Sequence, residues 1–205
     1  MLILGQAGVG KTTLIRAITE TSRHYGKLEI LAKCATTGIV AVDIGACTLH
    51  SWAGLSTSQP KDDDWLSRSS KMSEDKQRAN IQGKEFLIVD EIFMEDKVTA
   101  YCLSEIVAKS RALEEKGRPH EPYGLMHVIK AGDFHQFTPV GNPTGALYVD
   151  RPGQDSKRAI LGREILIRSS YWISKTESQI QYGARFWDGH ESVNAVRKIL
   201  KRLKN

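Results

Sequence analysis

The chain has 205 residues, of which 40% are hydrophobic and 26% charged, and its formal net charge is +5. These proportions are ordinary for a soluble globular protein with one full hydrophobic core. No apolar run approaches the roughly 20 residues that span a bilayer, and no basic region precedes the first apolar residues as in a secretory signal. We therefore expect an intracellular protein without a membrane partner. The positive charge permits nucleic-acid binding and is equally typical of a protein with solvated lysines.

The three cysteines, Cys34, Cys47 and Cys102, are scattered along the chain. Their spacing matches no metal-ligand motif, and an odd number of thiols cannot all form disulfides. This usage favours a reducing compartment over secretion.

Apolar runs alternate with helical periodicity along the chain. Short apolar runs predict strands at residues 2–4, 28–32, 86–89 and 125–129. Apolar residues at helical spacing predict helices at 11–25 and 98–113, with a short helix or turn at 36–44. The polar segment 56–85 predicts a long surface loop with one helix near 73–81.

The predicted strands are continuous apolar runs, and helices separate them. This pattern is typical of an α/β fold with a parallel sheet that helices cover on both faces. No internal repeat or linker interrupts the pattern, so we expect a single domain over residues 1–205. Within 191–205, apolar side chains form one helical stripe beside basic residues. A solvated amphipathic helix is favoured there over a DNA-binding one.

Residues 5–12 read GQAGVGKT and satisfy the phosphate-loop pattern G-x-x-x-x-G-K-[ST]. Glycines let the backbone curl so that several N–H groups point at phosphates, and the following helix adds the positive end of its dipole. Lys11 is expected to neutralise the β- and γ-phosphates, and the Thr12 hydroxyl to ligate Mg²⁺. The expected ATP-binding residues are Gly5, Gln6, Ala7, Gly8, Val9, Gly10, Lys11, Thr12 and Thr13.

Asp90 and Glu91 directly follow the predicted strand at 86–89. Asp90 is expected to hold Mg²⁺, usually through water, and Glu91 to polarise the attacking water as a general base. Small-molecule kinases and GTPases seldom need a second carboxylate here, whereas ATP-driven motors do. No N-K-x-D stretch for reading guanine occurs in the chain, which disfavours GTP. The alternative is a strand end with two solvated acids.

A third stretch, GDFHQFTPV at 132–140, follows the last predicted strand. The amide of Gln136 is expected to bond the γ-phosphate or its attacking water, and so to act in catalysis and report the bound nucleotide. Alone this stretch is a weak signal, because Gly-Asp turns are common.

Together the three stretches resemble superfamily-one helicases, most closely the petite-integration-frequency (PIF-type) DNA helicase family. Residues 35–51 are similar to its DNA-contacting pattern A-x-T-G-x-A-A … G-x-T-x-H-S. DEIFM at 90–94 resembles its DEISM, with Phe93 in place of serine. The stretch at 132–140 resembles G-D-x-x-Q-L-P-P-V, with phenylalanine and threonine replacing the leucine and the first proline.

The resemblance implies a RecA-like P-loop NTPase domain that hydrolyses ATP, with Mg²⁺ as cofactor, while moving 5′-to-3′ along single-stranded DNA. It implies that Thr36, Thr37 and His50 face the DNA, and that Trp52 stacks on a base or lies in the core, the core being favoured. Alternatively, the two threonines cap a helix. The family also implies a nuclear or mitochondrial location and roles in DNA repair, recombination and telomere maintenance.

The segment 166–205 diverges from the family pattern. The family arginine that reaches the γ-phosphate corresponds to Gln181, and the family aspartate to Ala184, unless Arg185 substitutes by a shifted register. Loss of such an arginine costs on the order of 10³ in rate. The resemblance also implies a second motor domain after this one and a segment that reads adenine before the phosphate loop. Neither occurs within the 205 residues, so we expect a chain trimmed at both ends. Three interpretations remain open: a helicase motor domain, an ATP-binding remnant without unwinding activity, and a disfavoured small-molecule kinase.

Overall fold

The computed structural model describes residues 1–55, 71–112, 114–134, 139, 142–168, 172–175 and 201. Several sequence predictions lie outside the described residues: Gln136, the divergent stretch around Gln181, and the amphipathic helix at 191–205 apart from residue 201.

The described residues form six strands and six α-helices, which alternate except that α4 follows α3. The strands are Leu2–Gly5 (β1), Leu31–Ala35 (β2), Cys47–Thr48 (β3), Phe86–Asp90 (β4), His127–Gly132 (β5) and Trp172–Lys175 (β6). The helices are Lys11–His24 (α1), Gly38–Asp43 (α2), Leu49–Ala53 (α3), Lys71–Ile81 (α4), Lys97–Ser110 (α5) and Lys157–Ile167 (α6). Short 3-10 turns occur at Leu28–Ile30, Ile92–Met94, Pro122–Leu125 and Pro143–Gly145.

The strands form one sheet in the order β3-β2-β4-β5-β1-β6, and every pairing is parallel. Ala35 is in register with Asp90 across β2 and β4, and Leu4 is in register with Gly132 across β1 and β5. The carboxyl ends of β1, β2, β4 and β5 therefore meet at one edge of the sheet, where open α/β sheets bind ligands.

Hydrophobic side chains cover both faces of the sheet. One layer contains buried Leu2, Cys34, Leu87 and Val89 from the strands and Leu49, Ile81, Leu103 and Leu166 from the helices. The opposite layer contains Ile3, Leu31, Ile88 and Ile129 from the strands and Ile15, Ile18, Ala41 and Ile44 from α1, α2 and its end. Each fully buried leucine or isoleucine contributes about 1.5–3 kcal/mol. The predicted α/β fold with a parallel sheet covered on both faces is confirmed.

The predicted strands at 28–32 and 125–129 begin too early. Leu28–Ile30 and Pro122–Leu125 are 3-10 turns, and Leu125 is 52% exposed with a positive φ of 63°. Both strands also continue past the point where a lysine suggests an end. Lys33 lies inside β2, and Lys130 inside β5 is buried against Glu95. Each lysine fits within its strand because it has a partner, the Ile44 carbonyl oxygen for Lys33 and the Glu95 carboxylate for Lys130.

The helix predictions are closer. Those at 11–25, 36–44 and 73–81 match α1, α2 and α4 to within about two residues, and the one at 98–113 matches α5, which ends earlier. The short elements β3, β6 and α3 were not predicted from the sequence, and neither was the longer α6. No helix in the described part of the chain has the length and hydrophobicity to cross a membrane.

Candidate functional site: a phosphate loop beside a paired carboxylate

The phosphate loop connects β1 directly to α1. Gly8 and Gly10 have positive φ angles of 81° and 94°, a region that glycine enters without steric cost. A Cβ atom at either position would meet nothing within 4 Å. Glycine is therefore favoured by the backbone conformation and not by lack of space for a side chain. No side chain caps the start of α1 at Gly10, and its first turn has no acidic residue. The first N–H groups of α1 are therefore suited to an anion.

Lys11 lies folded across this loop. Its Nζ donates hydrogen bonds to the carbonyl oxygens of Gly5 at 2.6 Å and Gln6 at 2.8 Å. Neutral carbonyls are weaker partners for an ammonium group than phosphate oxygens are. A bound triphosphate would therefore compete effectively for this lysine.

Asp90 ends β4 at the same edge of the sheet. Its side chain is only 3% exposed, and burial raises the pKa of Asp90 above the ordinary aspartate value. The N–H of Glu91 donates to Asp90 Oδ1 at 2.9 Å and opposes the rise, while the charge of Glu91 adds to it. The charge of Lys11 lowers this pKa in turn. Asp90 and Lys11 thus act on each other electrostatically.

Glu91 adopts a left-handed backbone conformation, with φ 56° and ψ 47°. Such a conformation costs a non-glycine residue on the order of 1 kcal/mol or more, and it persists where neighbours hold it. The hydroxyl of Thr36 donates to the Glu91 carbonyl oxygen at 2.6 Å, and the Thr36 N–H donates to the Asp90 carbonyl oxygen at 3.2 Å. The end of β2 therefore fixes the backbone at the paired acids.

Thr37 contacts the Glu91 side chain itself. Its hydroxyl donates to Glu91 Oε2 at 3.2 Å and also accepts from the N–H of Val40 at 3.5 Å, which makes Thr37 the N-cap of α2. The alternative that a threonine caps a helix is therefore confirmed for Thr37. Thr36 is not the cap of α2, and its hydroxyl donates instead to the backbone carbonyl oxygen of Glu91.

The oxygen ligands at this edge suit a magnesium ion. Mg²⁺ prefers hard oxygen ligands, and it commonly takes one or two from protein and the rest from water and substrate phosphates. Thr12 supplies a half-buried hydroxyl in the first turn of α1, and Asp90 supplies a carboxylate. The described residues contain no group of three or more His, Cys, Asp or Glu that would hold a metal without such help.

Comparison with known proteins identifies the family. A family model described as PIF1-like helicase matches residues 1–149. The chain belongs to the PIF1-like helicase family. The predicted resemblance is thereby confirmed, and the small-molecule kinase interpretation is excluded.

Two curated PIF1-like relatives share about a third of their aligned residues with this chain. ATP-dependent DNA helicase PIF1 of Candida albicans is 34% identical over 143 residues, which cover 68% of this chain and 14% of the relative. ATP-dependent DNA helicase RRM3 of Saccharomyces cerevisiae is 35% identical over 137 residues, covering 66% of this chain and 18% of the relative. The chain therefore spans less than a fifth of either relative.

Solved PIF1-like structures share the fold. A crystal structure of Pif1 helicase from Bacteroides in complex with ADP-AlF3 and ssDNA has a TM-score of 0.56 and 28% sequence identity. That likeness covers 70% of this chain and 30% of the Bacteroides chain. A crystal structure of Pif1 helicase from Candida albicans has a TM-score of 0.52 at 29% identity, covering 71% and 32%.

Three further residues in or next to the PIF1-like motifs, His50, Trp52 and Phe93, lie in the described part of the chain. His50 is half-buried in α3. Trp52 is buried at 5% exposure, and its carbonyl oxygen accepts from Asn80 Nδ2 at 2.8 Å. Trp52 is therefore a core residue, as favoured from the sequence. Phe93, which replaces the PIF1-like serine, is also buried, at 4% exposure.

A buried ion pair beside the PIF1-like acidic motif was not predicted from the sequence. Glu95 Oε2 lies 2.6 Å from the Nζ of Lys130, with Tyr123 packed against the lysine at 5.9 Å from its ring centroid. One signal was present in the sequence, since Lys130 interrupts the otherwise apolar run of β5. A lysine in a strand whose sheet is covered on both faces is buried, and it therefore needs a partner of opposite charge or a hydrogen-bond acceptor.

Proposed function

We propose that residues 1–205 form one motor domain of an ATP-dependent DNA helicase that binds Mg-ATP and single-stranded DNA. One observation supports this most: Lys11 and the Asp90-Glu91 pair lie at the same sheet edge, and the base of that pair is hydrogen-bonded to the segment expected to face DNA. The site thus joins the groups for nucleotide hydrolysis to a DNA-facing element. The names of the curated relatives support the same activity.

In the proposed reaction, Gly5 to Thr13 bind the triphosphate through backbone N–H groups at the start of α1. Lys11 leaves the loop carbonyls and neutralises the charge on the β- and γ-phosphates. Thr12 and Asp90 would hold Mg²⁺, which would supply positive charge that stabilises the transferring phosphoryl group. Glu91 accepts the proton of the attacking water, and Gln136 bonds that water or the γ-phosphate.

Single-stranded DNA would bind beside α2 and α3. Hydroxyl groups and an imidazole bond phosphate oxygens, which suits Thr36, Thr37 and His50. The net charge of +5 favours a polyanionic partner. By family resemblance, we assign movement 5′-to-3′, an intracellular location in nucleus or mitochondrion, and roles in DNA repair, recombination and telomere maintenance.

A second candidate is an ATP-binding helicase remnant without unwinding activity. Gln181 supports this candidate, because a neutral amide in place of the family arginine supplies no positive charge to the transition state. Both candidates bind Mg-ATP, so turnover distinguishes them.

An ATPase titration with a single-stranded oligonucleotide tests the proposal. We expect Mg-ATP binding that depends on Lys11, with very weak hydrolysis that DNA stimulates. Robust stimulated turnover by the 205 residues would refute the remnant and show that the family arginine is dispensable. Absence of ATP binding by the folded chain would refute both candidates.

A further inference from the structure

The hydroxyl of Thr37 joins the DNA-facing segment to the carboxylate of the proposed general base. The Thr37 hydroxyl donates a hydrogen bond to Glu91 Oε2 at 3.2 Å, whereas the Thr36 hydroxyl donates one to the backbone carbonyl oxygen of the same glutamate at 2.6 Å. Of these two bonds, the Thr37 bond is the one that acts on the side chain that would accept a proton from water. The Thr36 bond holds the left-handed backbone.

A threonine hydroxyl has one proton to donate. It serves one acceptor at a time, either the Glu91 carboxylate or a phosphate oxygen of DNA. The hydroxyl oxygen of Thr37 also accepts from the Val40 N–H. The cap of α2 can therefore persist while the hydroxyl donates to a different acceptor.

The hydrogen bond between Thr37 and Glu91 is long enough for a DNA phosphate oxygen to replace the carboxylate as acceptor. An O–H donor usually approaches a carboxylate to about 2.5–2.7 Å, and the 3.2 Å separation here indicates a weak contact. Thr37 is half-buried, and the next two residues, Gly38 and Ile39, are exposed, Ile39 at 87%. The first turn of α2 is thus open to a strand of DNA.

We propose that Thr37 is a positioning residue. Its hydroxyl restrains the Glu91 side chain when no DNA is bound, and it releases that side chain when a DNA phosphate oxygen accepts the hydrogen bond instead. This inference rests on the proposed function, since it needs both a DNA strand at α2 and Glu91 as the base. Release frees the carboxylate to turn toward the attacking water. The two contacts of one hydroxyl thereby link DNA binding to ATP hydrolysis.

The link is testable by DNA binding alone, because coupling between two contacts is reciprocal. If DNA must displace Glu91 from Thr37, removing the carboxylate must strengthen DNA binding. The probe is a fluorescein-labelled oligothymidylate, measured by fluorescence anisotropy without nucleotide. The variants are Glu91→Ala, Thr37→Val and the double variant of the full 205-residue chain.

We expect Glu91→Ala to tighten oligonucleotide binding about fivefold or more in the chain with Thr37, and about twofold or less in the Thr37→Val chain. Loss of a negative charge also favours DNA, but equally in both backgrounds, so the difference isolates the hydroxyl. Glu91→Gly is a second way to remove the carboxylate, since glycine tolerates the left-handed conformation.

Two controls separate coupling from loss of a helix cap. Thr37→Ser retains both cap and donor and must restore the larger effect of Glu91→Ala. Ser156 caps α6 by accepting from the Ala159 N–H at 3.2 Å, so Ser156→Ala removes a cap elsewhere and must leave the larger effect intact.

Equal tightening by Glu91→Ala in the parent and Thr37→Val backgrounds would overturn the inference, while DNA and ATP binding by the parent chain would still support the proposed function. No binding of the oligonucleotide by the folded parent chain would overturn both the inference and the DNA part of the function. Lys11-dependent ATP binding reports separately on the nucleotide part.

Discussion

The Nζ of Lys130 lies 2.6 Å from Oε2 of Glu95, and the two side chains are 3% and 0% exposed. The pair connects β5 to the turn that follows Asp90 and Glu91. Burial lowers the pKa of Lys130, but the charge of Glu95, its hydrogen bond and the interaction with Tyr123 together outweigh burial, and the net direction is upward. Lys130 therefore stays charged at neutral pH, which makes the pair sensitive to loss of either member.

Replacing Lys130 by methionine should leave the Glu95 carboxylate buried without its counter-charge. Removing one member of a buried pair costs about 3–5 kcal/mol, to be measured as the free energy of unfolding in urea. Lys116→Met is the matched control, because Lys116 pairs with Glu85 at the surface and should change stability little. The double change Lys130→Met with Glu95→Leu should recover much of the loss. Equal free energies of unfolding for Lys130→Met and Lys116→Met would contradict the expected cost of leaving Glu95 unpaired.

Gly162 is required by close packing between α5 and α6. A Cβ atom there would lie 1.8 Å from the Lys97 carbonyl oxygen, a backbone atom that cannot move aside alone. Gly162→Ala should therefore destabilise the protein by about 1–3 kcal/mol, seen as a lower Tm and urea midpoint. Gly38→Ala is the control, since nothing lies within 4 Å of its Cβ and φ is not positive. That helical substitution should be neutral or stabilising. A Tm for Gly162→Ala at or above that of the parent would refute the packing argument.

Asp90 should reduce stability at neutral pH, because burial raises its pKa above the unfolded value. A raised carboxyl pKa means that the charged form costs folding free energy, and the cost disappears below the pKa of both states. Asp90→Asn should therefore raise the free energy of unfolding at pH 7, with the gain shrinking as pH falls toward about 4 and below.

The control for this pH series is Asp43→Asn. Asp43 is exposed and pairs with Arg16 at the surface, so its replacement should change stability little. Lower stability of Asp90→Asn than of the parent at pH 7 would contradict the assignment of Asp90 as a buried charge kept for function. Such a cost is typical of functional sites.

Much of the fold follows from local sequence, and the site follows from it only in part. The continuous apolar runs at β1 and β4 predict parallel buried strands, and the phosphate loop predicts the start of α1. The ends of β2 and β5 do not follow, because Lys33 and Lys130 are accommodated by Ile44 and Glu95, partners 11 and 35 residues away in the sequence. Likewise, the resemblance of the stretch around Thr36 and Thr37 to the PIF1-like pattern implies only that this segment is expected to face DNA. It does not indicate that both hydroxyls bond Glu91, since 55 and 54 residues separate the partners.

The most direct test of the central claim is equilibrium binding of Mg-ATP to the purified 205-residue chain by titration calorimetry. Lys11→Ala should weaken binding about tenfold or more, because a charge-assisted contact to phosphate is lost. Lys76→Ala, which removes an exposed lysine of α4, should leave the affinity unchanged. We expect saturable Mg-ATP binding by the parent and Lys76→Ala chains and an affinity at least about tenfold weaker in Lys11→Ala. No binding by the folded parent chain, or equal affinity in Lys11→Ala, would contradict it.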